Sequence, residues 1–104
     1  PSTPTVKSVK VKGNTVTVTY TVSKDATGYD VVLGSAVKTV TGEKRPVDCG
    51  TLVKKNIKGN VVTATFTNVP AGKYYAGVHS FNRTSENGSK VFSKWSNSRT
   101  VTVK

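Results

Sequence analysis

The residues able to do chemistry are few. Among 104 residues there is one cysteine, Cys49, one histidine, His79, and five carboxylates: Asp25, Asp30, Glu43, Asp48 and Glu86. A thiol nucleophile needs a base within reach to form its thiolate. Cys49 and His79 fall in separate predicted segments, so a bland structural or loop thiol is expected. Glycoside hydrolysis needs two carboxyl groups flanking one bond, whereas the acids here are scattered over turns and outer strand faces. One His, one Cys and dispersed acids contain no zinc- or calcium-type ligand spacing, and a phosphate-cradling glycine loop would need a helix to open. These residue types point to a non-catalytic chain with no metal and no cofactor.

Binding chemistry is better supplied. Sixteen Lys and Arg against five Asp and Glu give a net charge of +11, a field that attracts polyanions at low salt. Lys54, Lys55 and Lys58 form the densest basic segment, and Arg83, Lys90, Lys94 and Arg99 follow. On an edge strand such lysines also block sheet-to-sheet aggregation, a structural explanation that competes with a ligand patch. Tyr75, Phe81, Phe92 and Trp95, with His79, are expected to form a partly exposed aromatic group on an outer face. Flat rings beside cations stack on sugars and on bases, although the same rings could simply cover the end of the domain or pack against a neighbour. The basic residues are spread over many strands rather than gathered on one reading element, which argues against nucleic acid.

The elements that must position these groups are strands. Thr15 to Val22 reads T-V-T-V-T-Y-T-V, an alternation that puts Val16, Val18, Tyr20 and Val22 on one face and the threonines on the other. The pattern returns in Val61 to Val69 and in Thr100 to Lys104. Turn chemistry separates further strands: Thr5 to Val11, with Val6 and Val9 or Val11 inward; Gly28 to Leu33, with Tyr29, Val31 and Leu33 inward; and Val37 to Thr41, which hairpins back through Gly34-Ser35. Gly42 to Gly50 has little apolar periodicity and reads as a crossing loop. Leu52 to Ile57 is expected to be an edge strand that hairpins through Lys58-Gly59-Asn60 into Val61 to Thr67, with Val62, Ala64 and Phe66 inward. Lys73 to Asn82 is a further strand, followed by a polar loop with an Asn87-Gly88 turn. The last strand resumes by about Arg99, after Val91 to Ser96. No segment shows a helical period, and no apolar run approaches the ~20 residues needed to span a bilayer.

At this size one domain with one core is expected, over residues 5–104, with Pro1 to Pro4 as a linker. The absence of Met and the Pro1-Ser2-Thr3-Pro4-Thr5 opening suggest a piece of a larger protein.

Four stretches resemble a fibronectin type III domain, and the resemblance covers nearly the whole chain. Strand Thr15 to Val22, with Tyr20, is similar to the family's second strand, and Thr27-Gly28-Tyr29-Asp30-Val31 to the opening of its third. Val69 to Tyr74 resembles the corner before the sixth strand, and Tyr74 to Asn82 that strand. Ser93-Lys94-Trp95-Ser96 followed by Thr100 to Lys104 resembles the last strand of bacterial extracellular versions. The resemblance implies a seven-stranded Greek-key, immunoglobulin-like β-sandwich without a disulfide. Tyr20, Tyr29 and Tyr74 would be structural, and a tyrosine near the start of the sixth strand would hydrogen-bond back to the backbone. Tyr74 in that role puts Ala76, Val78 and Ser80 inward, whereas Tyr75 would invert the set to Gly77, His79 and Phe81.

The family's Arg-Gly-Asp adhesion sequence is absent from the loop Arg83 to Lys90, and Gly42 to Gly50 has no close counterpart in the family. Two glycosylation patterns, at Asn82 and Asn87, read as chance matches. The expected function is therefore a non-catalytic module of an extracellular, cell-surface or phage protein, bacterial in style. It would act as a rigid spacer between neighbouring domains of its parent chain, with weak electrostatic adhesion to anionic cell-wall polymer or polysaccharide. A glycan-binding accessory module of a polysaccharide hydrolase and a virion surface decoration domain are the alternatives.

Overall fold

The computed structural model describes residues 1–104. Ten strands form in chain order: β1 (Val6–Lys12), β2 (Thr15–Tyr20), β3 (Gly28–Gly34), β4 (Ala36–Val40), β5 (Glu43–Val47), β6 (Val53–Lys58), β7 (Thr63–Phe66), β8 (Gly72–Asn82), β9 (Val91–Phe92) and β10 (Arg99–Val103). Strands β1, β2 and β7 make a three-stranded sheet, and β10, β8, β3 and β6 make a larger one, with β9 also beside β8. A separate two-stranded ribbon joins β4 to β5. Every pairing is antiparallel, and no helix is present to cross a membrane.

The two main sheets share one core. Val6, Val16, Val18, Tyr20, Ala64 and Phe66 from the smaller sheet meet Tyr29, Val31, Leu33, Ala76, Val78, Val101 and Val103 from the larger. The fold is therefore all-β and sandwich-like, as the alternation in β2 requires. Strand β8 follows the Tyr74 phase: Ala76, Val78 and Ser80 are fully buried, and Tyr74 Oη donates to the Pro70 carbonyl at 2.7 Å.

One alternative is decided and several expectations are corrected. A register shift between Val6 and Ser8 lets Val6 and Val9 reach the core despite their odd spacing, while Val11 is exposed. Strand β2 stops at Tyr20, so Val22 lies in solvent. Its neighbour Ser23 is buried instead, and the Ser23 N–H donates to Tyr29 Oη, which in turn donates to the Gly59 carbonyl. Strands β6 and β7 follow one another in the chain but belong to different sheets, so they form no hairpin. Residues 1–4 contact the sheets: Pro4 is buried, and the Ser2 carbonyl accepts a bond from Ser80 Oγ.

The largest correction concerns Gly42 to Gly50. Residues Glu43–Val47 are a strand, paired with β4 rather than lying in a loop, and β4 does not pair with β3. Thr41 and Gly42 both have positive φ, 51° and 82°, the geometry of a two-residue hairpin turn matched to strand twist. Periodicity missed it because the ribbon uses only one partner strand and buries chiefly Pro46.

One buried polar atom near the core yields a prediction. Tyr20 Oη has no hydrogen-bond partner, and its ring lies 4.9 Å from that of Tyr29. Burial, then the neighbouring Tyr29, pushes the Tyr20 phenol upward. Removing an unpaired buried hydroxyl removes its desolvation cost. Tyr20→Phe is expected to leave stability unchanged or raise it by up to about 1 kcal/mol, read from urea unfolding midpoints.

Candidate functional site

Alternation along β3 sends Tyr29, Val31 and Leu33 into the core and therefore Gly28, Asp30 and Val32 to the opposite face. That face ought to be wet, yet all seven residues of β3 are buried. The cover is the β4–β5 ribbon, the β9 segment and the side chains between them.

Asp30 is the centre of this second layer. It is 7 % exposed and faces His79, its register partner on β8. His79 Nε2 lies 2.7 Å from Asp30 Oδ2, and because a carboxylate only accepts, Nε2 carries the proton. Asp30 Oδ1 accepts the Asn56 N–H at 3.0 Å and lies 3.9 Å from Lys90 Nζ. Burial is the largest single influence on this carboxyl and favours its neutral form. The His79 bond, the Asn56 N–H and the charges of His79 and Lys90 together outweigh it and hold the group below the usual carboxylate range.

A column of flat groups stands beside the carboxylate. The His79 ring stacks on Trp95 at 3.9 Å and on Phe92 at 4.6 Å between centroids. The Arg45 guanidinium sits 4.3 Å over the Trp95 ring. Arg45 and His79 cannot both occupy one face of the indole at those distances, so they cover opposite faces. The order is Arg45, Trp95, His79, Phe92.

The chain around Trp95 is held by serines. Ser93 and Ser96 donate their N–H groups to the Ser80 and Val78 carbonyls, while their Oγ atoms accept from the Ser80 and Val78 N–H groups. Each serine thus satisfies both backbone groups of one β8 residue where regular pairing lapses between β9 and β10. Glu43 Oε1 accepts the Trp95 N–H at 2.7 Å, tying the ribbon to this segment.

Between the ribbon and β6 lies a cleft of about 530 Å³, with Asp30, His79 and Trp95 at one side and Arg45, Cys49 and Lys55 among its walls. The structure therefore brings Cys49 and His79 to one cleft despite their separation in sequence. Burial pushes the Cys49 thiol up, Arg45 opposes this and Asp48 reinforces it, so the thiol is held away from its reactive anion. No three His, Cys, Asp or Glu side chains gather to hold a metal ion.

The expected aromatic group is only partly assembled. Phe92 and Trp95 belong to the column, with Phe92 51 % exposed. Phe81 is on the expected outer face but is only 1 % exposed, lying beneath Lys90, Arg83 and Phe92. Tyr75 stands apart, opposite Gly34 and Thr100, with the Lys73 ammonium 5.7 Å from its ring.

The basic residues also divide. Lys54, Lys55 and Lys58 are exposed on the edge strand β6, and Lys94 is exposed beside Trp95. Arg83 donates to the Glu86 carbonyl, Arg99 to the Val6 carbonyl and Lys90 to Asn56. Sequence reasoning missed Asp30, Arg45 and Glu43. A lone carboxylate on the outward phase of an otherwise apolar strand was the available signal for Asp30.

No family model, curated protein or solved structure matches the chain.

Proposed function

We propose that this domain is a fibronectin type III-like, non-catalytic module of a larger extracellular, cell-surface or virion protein. It acts as a rigid spacer and adheres weakly to anionic cell-surface polymers. The sheet orders β1-β2-β7 and β10-β8-β3-β6, together with the Tyr74–Pro70 bond, support a seven-stranded Greek key to which β4 and β5 add a ribbon. The observation that carries the functional reading is the sealing of Trp95. Both faces of its indole are occupied by the protein's own Arg45 and His79, so it offers no open face for a sugar ring. What remains accessible is charge, with Lys54, Lys55 and Lys58 along one sheet edge.

Binding of the purified domain to teichoic acid, peptidoglycan, neutral β-glucan and duplex DNA tests this at low and physiological salt. Binding to the anionic polymers is expected to weaken at least about tenfold at physiological salt, because exposed charges are screened beyond about 8 Å. Trp95→Ala, checked for folding by circular dichroism, is expected to change binding less than about twofold, since rings already covered carry no ligand contact. The exposed Phe92 at the open end of the column favours a second reading, a glycan-binding accessory module. Salt-resistant binding to the neutral glucan, lost on removing the Phe92 ring, would replace the first reading with it.

A further inference from the structure

Three functional groups from separate segments of the chain meet at the outer end of the Asp30 network. Lys90, just before β9, extends its side chain over the Phe81 ring, with Nζ 4.1 Å from that centroid and 5.9 Å from the centroid of Phe92. Its Nζ reaches Asn56 Oδ1 at 2.5 Å, so the carboxamide carbon lies one bond beyond the atom it touches. Asn56, on β6, is fixed from behind: its φ is +60°, and its N–H is bonded to Asp30 Oδ1. That same Oδ1 is 3.9 Å from Lys90 Nζ. Only 20 % of the Lys90 side chain and 9 % of the Asp30 side chain are exposed.

An amine and a carboxylate largely shielded from water, held against the carboxamide of the exposed Asn56, are the reactants and the proton carrier of an amide exchange. We propose that Lys90 and Asn56 form an intramolecular amide cross-link, with Asp30 as the proton carrier. Asp30 takes a proton from the Lys90 ammonium, and the freed amine attacks Asn56 Cγ. The Nζ–Cγ bond forms and the Cγ–Nδ2 bond breaks. Asp30 hands its proton to Nδ2, which leaves as ammonia, and then takes the surplus proton from Nζ and releases it to water, where the ammonia becomes ammonium and Asp30 is a carboxylate again. No oxidant, metal or cofactor is consumed. Preorganisation supplies the rate, because the nucleophile is already placed against its carbonyl.

The product would tie the edge strand β6 to the flank of β9, across the face of β3 and β8. An edge strand with only one partner is the natural place for a sheet to begin peeling. A covalent strap there suits a spacer that must keep its length under load, but the chemistry does not depend on that function.

The test is the intact mass of the purified domain, followed to a constant value after folding. The expected mass is that of the sequence less one ammonia. A tryptic digest should contain one branched peptide joining the segments around Asn56 and Lys90, with no cleavage after Lys90. Lys90→Met keeps the apolar stem, and Asn56→Gly suits the positive φ; each should restore the full mass while melting cooperatively by circular dichroism. Asp30→Asn should also show the full mass, and a cross-link formed without the carboxylate overturns its role. Succinimide formation at Asn87-Gly88 would release the same ammonia, so a deficit that persists in Lys90→Met overturns the proposal. A wild-type mass equal to that of the unmodified sequence overturns it outright.

Discussion

Asp30→Ala is expected to lower the free energy of unfolding by about 3 kcal/mol, the scale for removing one member of a buried charged network. The substitution strands the His79 Nε2–H, the Asn56 N–H and the Lys90 ammonium at once. It also frees the His79 ring, which is the middle of the column between Trp95 and Phe92. For a domain whose total stability falls in the usual range of roughly 5–15 kcal/mol, the loss is large. Urea unfolding of both proteins at neutral pH reads it directly, and a change below about 0.5 kcal/mol, the level of an ordinary surface substitution, would refute the central place given to this carboxylate.

The same group sets an acid limit. Its folded carboxyl is held below the ordinary value, so as pH falls the unfolded chain takes up the proton first and is favoured by it. The stabilisation from Asp30 is fully present above the ordinary carboxylate pKa of about 4. It is lost progressively as pH falls from there through the lower, folded value. The unfolding free energy of the wild type should therefore drop below about pH 4 more steeply than that of Asp30→Asn, and parallel curves would contradict the assignment.

Gly34→Ala is expected to cost about 2–3 kcal/mol, as overpacking a tightly filled site does. A Cβ on Gly34 would stand 2.5 Å from the Val47 carbonyl oxygen and 2.8 Å from Pro46 Cβ. Neither is the tip of a flexible side chain, so relief requires the ribbon to lift. Gly77 makes the same demand from the next strand, because its Cβ would meet Pro46 Cγ at 2.8 Å and Cδ at 2.9 Å. Two glycines on neighbouring strands thus form the notch that seats Pro46. Lifting the ribbon withdraws Arg45 and Glu43 from Trp95, so tryptophan emission should shift to the red before global unfolding. Gly77→Ala should behave alike, and the double variant should cost less than the two losses added, since both displace one proline. Full additivity would mean that the glycines serve separate contacts.

How much of this is legible in the sequence varies by element. The inward phases of β2, β3 and β8 are legible because each strand packs one face on the shared core, and a period of two then leaves a clear trace. The β8 phase even selects Tyr74 over Tyr75. The ribbon is invisible for the converse reason: Glu43–Val47 pairs with one strand, buries chiefly a proline and turns Glu43 and Arg45 into contacts while Lys44 stays exposed.

Strand alternation, charge and residue inventory by themselves determine that the chain is all-β, strongly basic and poor in groups that suggest catalysis. Those properties are sums over residues or local alternations, and they do not depend on which strands become neighbours. Tertiary structure alone decided that Asp30, Asn56, His79 and Lys90 would converge, and that the cover of Trp95 would come from Arg45 on one side and His79 on the other. Such partnerships arise where β3, β6, β8 and the ribbon cross over one another. Long-range packing creates those crossings, and no periodicity within a single strand records them.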